Sequence, residues 1–167
     1  MSPSAIHRAY VGLGANLGDA QGAVLAAIDR LTALGLFAAS SLYRSAPVDA
    51  VGPPFVNAVA ALNTPLDAAG LLAELQAIEN DFGRLRPYRH APRTLDLDLL
   101  LHGRTVCSGP LLTLPHPRLH LRAFVLHPLL ELAPDLDLPG LGPLSSHLPA
   151  TALQPLVRLQ GPPTMNR

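Results

Sequence analysis

The chain has 167 residues, enough to bury one sizeable core, and we predict a single domain over 1–159 with a flexible tail at 160–167. Apolar residues make up 49% of the chain and charged residues 14%, which excludes an intrinsically disordered protein. Twelve arginines and twelve acidic residues cancel to zero net charge. No overall positive field therefore exists to hold a nucleic acid, and we expect no such partner.

The sequence also limits the compartment. Cys107 is the only cysteine, so neither an intramolecular disulfide nor a cysteine-built metal site is possible. The N-terminus lacks an apolar core of signal-peptide length, and no apolar stretch approaches the roughly 18 residues of a membrane span. We therefore expect a soluble cytoplasmic protein that does not contact membranes, and a monomer is its expected state.

The first predicted elements are a strand and a helix. An apolar run over 9–13 indicates a buried strand. The glycines of 12–18 resemble a phosphate-binding turn, but no lysine follows and their spacing departs from nucleotide-binding fingerprints, so we favour a structural turn. Asp19 is a plausible N-cap for a helix whose apolar residues recur every three or four positions as far as Gly35.

The next elements complete a regular order. Residues 40–45 and 56–62 have the composition of strands and flank a loop rich in proline and glycine. Asp67 then begins a second helix that ends at Gly83. Residues 94–101 predict a fourth strand, which gives the order βαββαβ. This order matches the split βαβ motif and predicts a ferredoxin-like α+β fold with an antiparallel sheet. Prolines break the remainder into short elements around one helix near 122–132.

Two carboxylates stand on the last predicted strand of this core. Asp96 and Asp98 are two residues apart, so they point to one face with their Cα atoms about 7 Å apart, while the intervening leucines face the core. Two carboxylates suffice for Mg²⁺ when a nucleotide supplies further oxygens. A solvated acidic strand face is the alternative, which the nearby arginines make less favourable.

Cationic side chains cluster just before this strand. Arg84, Arg86, Arg89 and Arg93 fall within ten residues, and guanidinium groups bind phosphate oxygens through two parallel hydrogen bonds. The segment has no apolar periodicity, which indicates either a loop that delivers cations to the metal or a solvated charged loop. His116, fixed between two prolines, is a further candidate phosphate ligand, with a lone surface histidine as the alternative.

Aromatic and amide side chains suggest a second ligand. Phe55 and Phe124 lie beside turn-prone sequence and are candidates for the walls of a flat aromatic pocket, with core packing as the alternative. Asn57 shares a strand face with Phe55 and is suited to hydrogen-bond a ring edge, unless it is simply a polar residue on an edge strand.

These stretches resemble a known family, the 6-hydroxymethyl-7,8-dihydropterin pyrophosphokinases of folate biosynthesis. The resemblance runs from about Ala9 to Pro149, and its most specific part is Pro92 to Asp98. Other matching stretches are 10–18, 41–45, 55–58, 78–79 with 83–84, and 114–118.

The resemblance implies transfer of the β,γ-pyrophosphoryl group of ATP to the hydroxymethyl group of the dihydropterin, with release of AMP, on a ferredoxin-like αβα fold. Asp96 and Asp98 would hold two Mg²⁺ ions. No residue in the sequence is an obvious strong general base, and late acceptance of the proton by Asp98 is left open. The remaining implied contacts divide into three sets. The residues implied to contact the pterin are Ser45, Val48, Phe55, Asn57 and Phe124. Those implied to lie near the nucleotide are Leu72, Gln76 and Glu79. Those implied to contact phosphates are Arg84, Arg86, Arg93, His116 and Arg122.

Two other functions remain open from the sequence. A nucleotidyltransferase also uses paired carboxylates and two metals, but it releases pyrophosphate rather than AMP. A ferredoxin-like regulatory domain would bind a ligand without turnover. The clustered acidic and arginine residues argue against the second function, because a passive domain does not need them.

Overall fold

The computed structural model describes residues 5–47, 52–83 and 95–161. Its helices and strands, in chain order, are β1 His7–Ala15, α1 Ala20–Arg30, β2 Leu36–Ala39, β3 Leu42–Ser45, β4 Phe55–Thr64, α2 Ala68–Gly83, β5 Asp96–His102, β6 Cys107–Ser108, β7 Thr113–Leu114, α3 Ala123–Leu132, β8 Asp137–Leu138, β9 Gly142–Pro143 and β10 Leu156–Gln160. The predicted order βαββαβ is present from β1 to β5, with β3 as the predicted second strand and β2 as an additional short strand before it.

One antiparallel sheet organises these elements. Its strands lie in the order β10, β3, β4, β1, β5, and β2 also pairs with β4 beyond the end of β3. All of its pairings are antiparallel. The strand β10 extends the predicted core at the edge next to β3, so the C-terminal part of the chain completes the sheet.

Apolar side chains cover both faces of the sheet. Residues at alternate positions of β1, such as Ala9, Val11 and Leu13, pack with the buried faces of α1 and α2. On the other face, Val59 and Ala61 of β4 pack with Leu126 and Leu129 of α3. The sheet therefore lies between helical layers, which confirms the predicted α+β ferredoxin-like fold and explains why β4 is apolar along nearly its whole length.

Local signals in the sequence account for the helix boundaries. Asp19 caps α1, since its Oδ1 accepts a hydrogen bond from the Gly22 amide at 3.0 Å, and Asp67 does the same for Gly70 at 2.7 Å. The first helix becomes a 3₁₀ turn after Arg30 and ends at Gly35, whose φ of 97° is left-handed. A Cβ at Gly35 would lie 1.9 Å from the Asn63 carbonyl oxygen, so only glycine fits this close approach.

The predicted glycine turn over 12–18 is partly wrong. Gly12 and Gly14 lie within β1 and pair with neighbouring strands on both sides, and only Gly18 in this segment has a positive φ, of 57°. Hydrogen bonding to two strands keeps these glycines extended. Among the described helices, none is long and apolar enough to cross a membrane.

Candidate active site

Three adjacent strands form the floor of a cavity on the α3 face of the sheet. In β1, Gly12 stands opposite Asp98 of β5, and Gly14 stands between Asp96 on one side and Asn57 of β4 on the other. Because Gly12 and Gly14 have no side chains, β1 forms the low centre of the cavity floor. The side chains of β4 and β5 stand higher on either side. The register therefore makes a groove with carboxylates on one side and an amide on the other.

The two aspartates occupy the groove as the strand periodicity predicts. Asp96 is exposed and Asp98 is half-buried, and both line the cavity. The alternate residues Leu95, Leu97 and Leu99 are buried in the core. The backbone amide of Leu97, between the two aspartates, donates to Glu79 Oε2 of α2 at 2.9 Å, which ties this part of β5 to the helix beneath it.

The β3 and β4 side of the cavity carries an aromatic ring and a fixed amide. Phe55, Asn57 and Ser45 all line it. Ser45 Oγ donates to Asn57 Oδ1 at 2.6 Å, and both side chains are buried. This bond orients the Asn57 amide so that its Nδ2 donor lies on the side of Gly14. Because β4 is a central strand, the alternative of an edge-strand polar residue is wrong.

The opposite wall comes from the segment that leads into α3. Arg118, Leu121, Arg122 and Phe124 line the cavity together with Gln154. The Arg122 guanidinium carbon lies 5.3 Å from the centroid of the Phe124 ring, within the range of a cation–π contact. Burial lowers the pKa of Arg122 and the Arg118 charge lowers it further, while Asp98 opposes both. The two arginines and Asp98 therefore share one electrostatic environment.

His116 belongs to the same environment although it does not line the cavity. Burial lowers the pKa of His116, and the charges of Arg122 and Arg118 add to this effect against the opposing charge of Asp98. Its Nδ1 accepts a hydrogen bond from the Arg118 amide at 3.1 Å, which leaves Nε2 as the donor of a neutral ring. A neutral imidazole beside Asp98 and two arginines can donate to a phosphate oxygen.

The cavity is about 640 Å³ in volume, which is within the range of small-molecule sites. It brings together seven of the residues predicted from the sequence: Ser45, Phe55, Asn57, Asp96, Asp98, Arg122 and Phe124. Aromatic rings, fixed amide donors, carboxylates and guanidinium groups thus face one space.

Other predicted residues lie elsewhere. Leu72, Gln76 and Glu79 are on α2, and none of them is among the described residues that line the cavity. Leu72 is half-buried and Gln76 is exposed, so nothing in the described structure joins these two to the cavity. The predicted contacts of Val48, Arg84, Arg86 and Arg93 lie outside the described residues and stay predictions.

Several lining residues were not assigned to the site from the sequence, and four of them bear on its shape or chemistry. Gly12 and Gly14 were assigned to a turn, and their role as a cavity floor becomes visible only from the strand register. Arg118 was quoted only within a matching stretch, although its position two residues after His116 and four before Arg122 was a usable signal. Gln154 had no signal, because it is distant in sequence from every other lining residue.

The donor set of the cavity fits Mg²⁺ better than a transition metal. In the described part of the chain, no group of three or more histidine, cysteine, aspartate or glutamate side chains is placed to hold a metal ion. Asp96 and Asp98 offer only hard carboxylate oxygens in an open cavity. Mg²⁺ accepts such a partial ligand set because it keeps water and takes phosphate oxygens.

Comparison with known proteins identifies relatives over most of the chain. One relative, the 2-amino-4-hydroxy-6-hydroxymethyldihydropteridine pyrophosphokinase of Pseudomonas aeruginosa, is 47% identical over 160 residues, which are 93% of this chain and 99% of that protein. The enzyme of the same name from Haemophilus influenzae is 46% identical over 136 residues, or 79% of this chain and 85% of that one.

Solved structures agree at the level of the fold. A crystal structure of Plasmodium falciparum HPPK-DHPS superposes with a TM-score of 0.69 at 14% identity, over 87% of this chain and 45% of that one. An HPPK-DHPS in complex with substrates gives 0.68 at 12% identity, over 87% and 43%. This chain thus spans less than half the length of those two proteins.

Residues 10–134 match the family described as 7,8-dihydro-6-hydroxymethylpterin-pyrophosphokinase, or HPPK. That range includes both aspartates, both cavity arginines and both phenylalanines. The chain therefore belongs to the 7,8-dihydro-6-hydroxymethylpterin-pyrophosphokinase family.

Proposed function

We propose that the chain transfers the β,γ-pyrophosphoryl group of ATP to the hydroxymethyl group of 6-hydroxymethyl-7,8-dihydropterin, releasing AMP, in folate biosynthesis. The observation that carries the proposal is the position of Asp96 and Asp98 in one cavity with Arg118, Arg122 and an aromatic pair. Membership of the family makes the chain a diphosphokinase, so a regulatory domain without turnover is excluded.

The β3 and β4 side of the cavity supports binding of the pterin. Phe55 and Phe124 present flat apolar surfaces from opposite walls, and a fused heteroaromatic ring gains favourable stacking against such surfaces. Asn57 is held by Ser45, so its amide is oriented before the ligand arrives. A preorientated amide costs little to immobilise and discriminates between ring edges by donors and acceptors. The contact assigned to Val48 would complete this end.

The other end of the cavity supports binding of the phosphates. Asp96 and Asp98 would hold two Mg²⁺ ions, which when bound neutralise phosphate charge and align the reacting group. Arg122 and Arg118 are placed to bind phosphate oxygens, and a neutral His116 adds a donor. Leu72, Gln76 and Glu79 on α2 are assigned to the nucleotide, and Arg84, Arg86 and Arg93 to its phosphates.

The reaction is an in-line displacement. The hydroxymethyl oxygen attacks the β-phosphorus of ATP, the bond from that phosphorus to the AMP oxygen breaks, and the hydroxyl proton is lost. Little general-base help is needed in a loose phosphoryl-type transition state, where alignment and fixed positive charge supply most of the rate. Asp98 accepts the proton late in the step. Arg84 and Arg93 act in the same step by stabilising the developing charge.

The test is to incubate the protein with Mg²⁺, the dihydropterin alcohol and ATP labelled on the γ-phosphate. The proposal expects AMP and a pterin product that carries the label, in equal amounts, and no product after chelation of the metal. A nucleotidyltransferase would instead place the label in free pyrophosphate and leave AMP on the pterin. That outcome would overturn the proposal.

A further inference from the structure

Gln154 joins the cavity to the C-terminal part of the chain. Its Oε1 accepts a hydrogen bond from the Ala123 amide at 2.8 Å, and its Nε2 donates to the Leu121 carbonyl at 2.9 Å. These two backbone groups flank Arg122. One side chain therefore holds the peptide on both sides of the arginine that lines the cavity.

This arrangement suits a primary amide, whose donor and acceptor lie side by side on one rigid group. Ala123 offers a donor and Leu121 an acceptor, so only a side chain that has both an acceptor and a donor satisfies the pair. Asparagine has the same groups on a stem that is one methylene shorter. The two bonds also fix which end of the Gln154 amide is oxygen, since the reverse orientation would face donor with donor and acceptor with acceptor.

The first turn of helix α3 has no capping side chain at its own N-cap position. Arg122 occupies its N-cap with an extended backbone and makes no side-chain capping hydrogen bond. The first amide groups of a helix lack partners within the helix, and the Ala123 amide is the first of them. Gln154 thus caps α3 from 31 residues away, and Phe124 is the next residue of the helix.

Gln154 is itself held in place. Its backbone amide donates to the Thr151 carbonyl at 3.0 Å. Thr151 is buried, and its hydroxyl donates to the Leu148 carbonyl at 3.0 Å. Two residues after Gln154, β10 begins and pairs with β3. Because the residue is anchored on both sides, its amide is a fixed support for the segment at 121–123.

We propose that Gln154 is a positioning residue, which fixes the backbone on both sides of Arg122 so that Arg122 and Phe124 face the pyrophosphoryl group and the pterin. The residue lies outside the range 10–134 that matches the family, so it adds a support from the C-terminal segment. The inference rests on the proposed function, because it assigns Gln154 an effect on the transfer step through Arg122.

The experiment compares Gln154→Met with the wild type. Methionine keeps the length of the side chain and removes both hydrogen bonds. We expect kcat for AMP formation to fall roughly tenfold, because small displacements of a positioned charge slow transfer steps strongly. Gln154→Asn keeps both the acceptor and the donor on a stem that is one methylene shorter, so a smaller fall of about threefold is expected. This variant also serves if the first does not fold. Leu153→Ala is the matched control, since Leu153 is adjacent to Gln154 and its own side chain is 97% exposed.

A double variant separates positioning from general destabilisation. In an Arg122→Ala background, Gln154→Met should lower kcat by less than about twofold, because the charge through which Gln154 acts on the transfer step is gone, while a displaced Phe124 would change KM for the pterin. An equal fold-change in both backgrounds would overturn the inference, and so would full activity of Gln154→Met. If the wild type itself forms no AMP, the proposed function fails and the inference falls with it. If the wild type is active but Gln154→Met lowers kcat equally with and without Arg122, the proposed function stands and only the inference fails.

Discussion

The two walls of the cavity are held in different ways. The residues on β4 and β5 occupy positions set by the strand register, and their alternate neighbours are buried in the core between the sheet and helices α1 and α2. The wall before α3 has no such register. Its arginines and Phe124 stand on a segment whose backbone is held by the side chain of Gln154.

Helix α3 is held by distant side chains at its other end as well. Glu131, in its last turn, accepts hydrogen bonds at Oε1 from the amide and hydroxyl of Ser41, at 3.0 and 2.7 Å, and at Oε2 from the Tyr43 hydroxyl. Arg158 of β10 in turn donates to the Ser41 hydroxyl at 2.9 Å. The residues on β4 and β5 therefore depend on the core for their positions, whereas the wall before α3 depends on a few long-range polar contacts.

The largest effect on catalysis is expected from a substitution on β5. Asp98→Ala removes a carboxylate assigned to Mg²⁺ and should lower the rate of AMP formation by at least about 10³-fold, because it removes charge stabilisation in the transition state. The melting temperature should change little, since the packed leucines remain. Asp137→Ala is the control, because the exposed Asp137 side chain forms an ion pair with Arg104 at 3.8 Å, away from the cavity lining. Near-normal turnover in the Asp98 variant would disprove the metal assignment.

On the opposite wall, Arg122→Ala should lower kcat/KM by about 100-fold, the usual scale for loss of a preorganised charge at the reacting group. Arg122→Lys should recover only part of that loss, since lysine keeps the charge but lacks the forked donors. Steady-state assays at several ATP concentrations measure both variants. Arg104→Ala is a suitable control for loss of a surface arginine, and an equal effect of the two alanine variants would contradict the assignment.

The glycine floor offers a matched pair of smaller effects. A Cβ at Gly14 would lie 3.1 Å from Asn57 Nδ2, closer than ordinary contact, whereas one at Gly12 would meet only Leu100 side-chain atoms at 3.5 Å. We therefore expect Gly14→Ala to weaken pterin binding by about tenfold, because Asn57 must move, and Gly12→Ala to weaken it less. Fluorescence titration of the pterin measures both, and equal losses would remove Asn57 from the explanation.

The same contrast explains what the sequence could predict. Strand periodicity placed Asp96 and Asp98 on one face without knowledge of the fold, because alternation along a strand is a local property. The same reasoning placed Phe55 with Asn57 on β4. The helix caps Asp19 and Asp67 were also local, since each acts on an amide three residues ahead.

What the sequence could not supply was contact between distant segments. Gln154 reaches Ala123 across 31 residues, and nothing near Gln154 in the chain marks it as part of a cavity. The extended form of Gly12 and Gly14 likewise depends on pairing with β4 and β5, while their isolated sequence favours a turn. Tertiary hydrogen bonding decided both cases.

The smallest effect on catalysis is expected from Glu131→Gln, which tests the far anchor of α3. Burial raises the pKa of Glu131, but the hydrogen bonds from Tyr43 and Ser41 and the Arg158 charge outweigh it and leave the pKa below its ordinary value. The folded state therefore favours the carboxylate. This contribution to stability is present above the unfolded pKa of about 4.3 and is lost as the pH falls through the lower folded value.

The variant keeps the size of the side chain and removes its charge. Because Glu131 is partly exposed to solvent, the variant's free energy of unfolding at pH 7 should be only about 0.5–1 kcal/mol lower than that of the wild type. Below about pH 4.3 the difference in the free energy of unfolding should narrow. The Glu131 carboxylate of the unfolded wild type then takes up a proton, which removes the stability that its charge gives the folded state. Denaturant unfolding at a series of pH values measures this, with the exposed Glu74→Gln as control. Turnover at pH 7 should change by less than about twofold, since Gln154 still holds the first turn of α3. A difference in stability that is constant with pH would contradict the role given to the Glu131 charge. A loss of activity as large as that of the Gln154 variants would show that the two ends of α3 are not held independently.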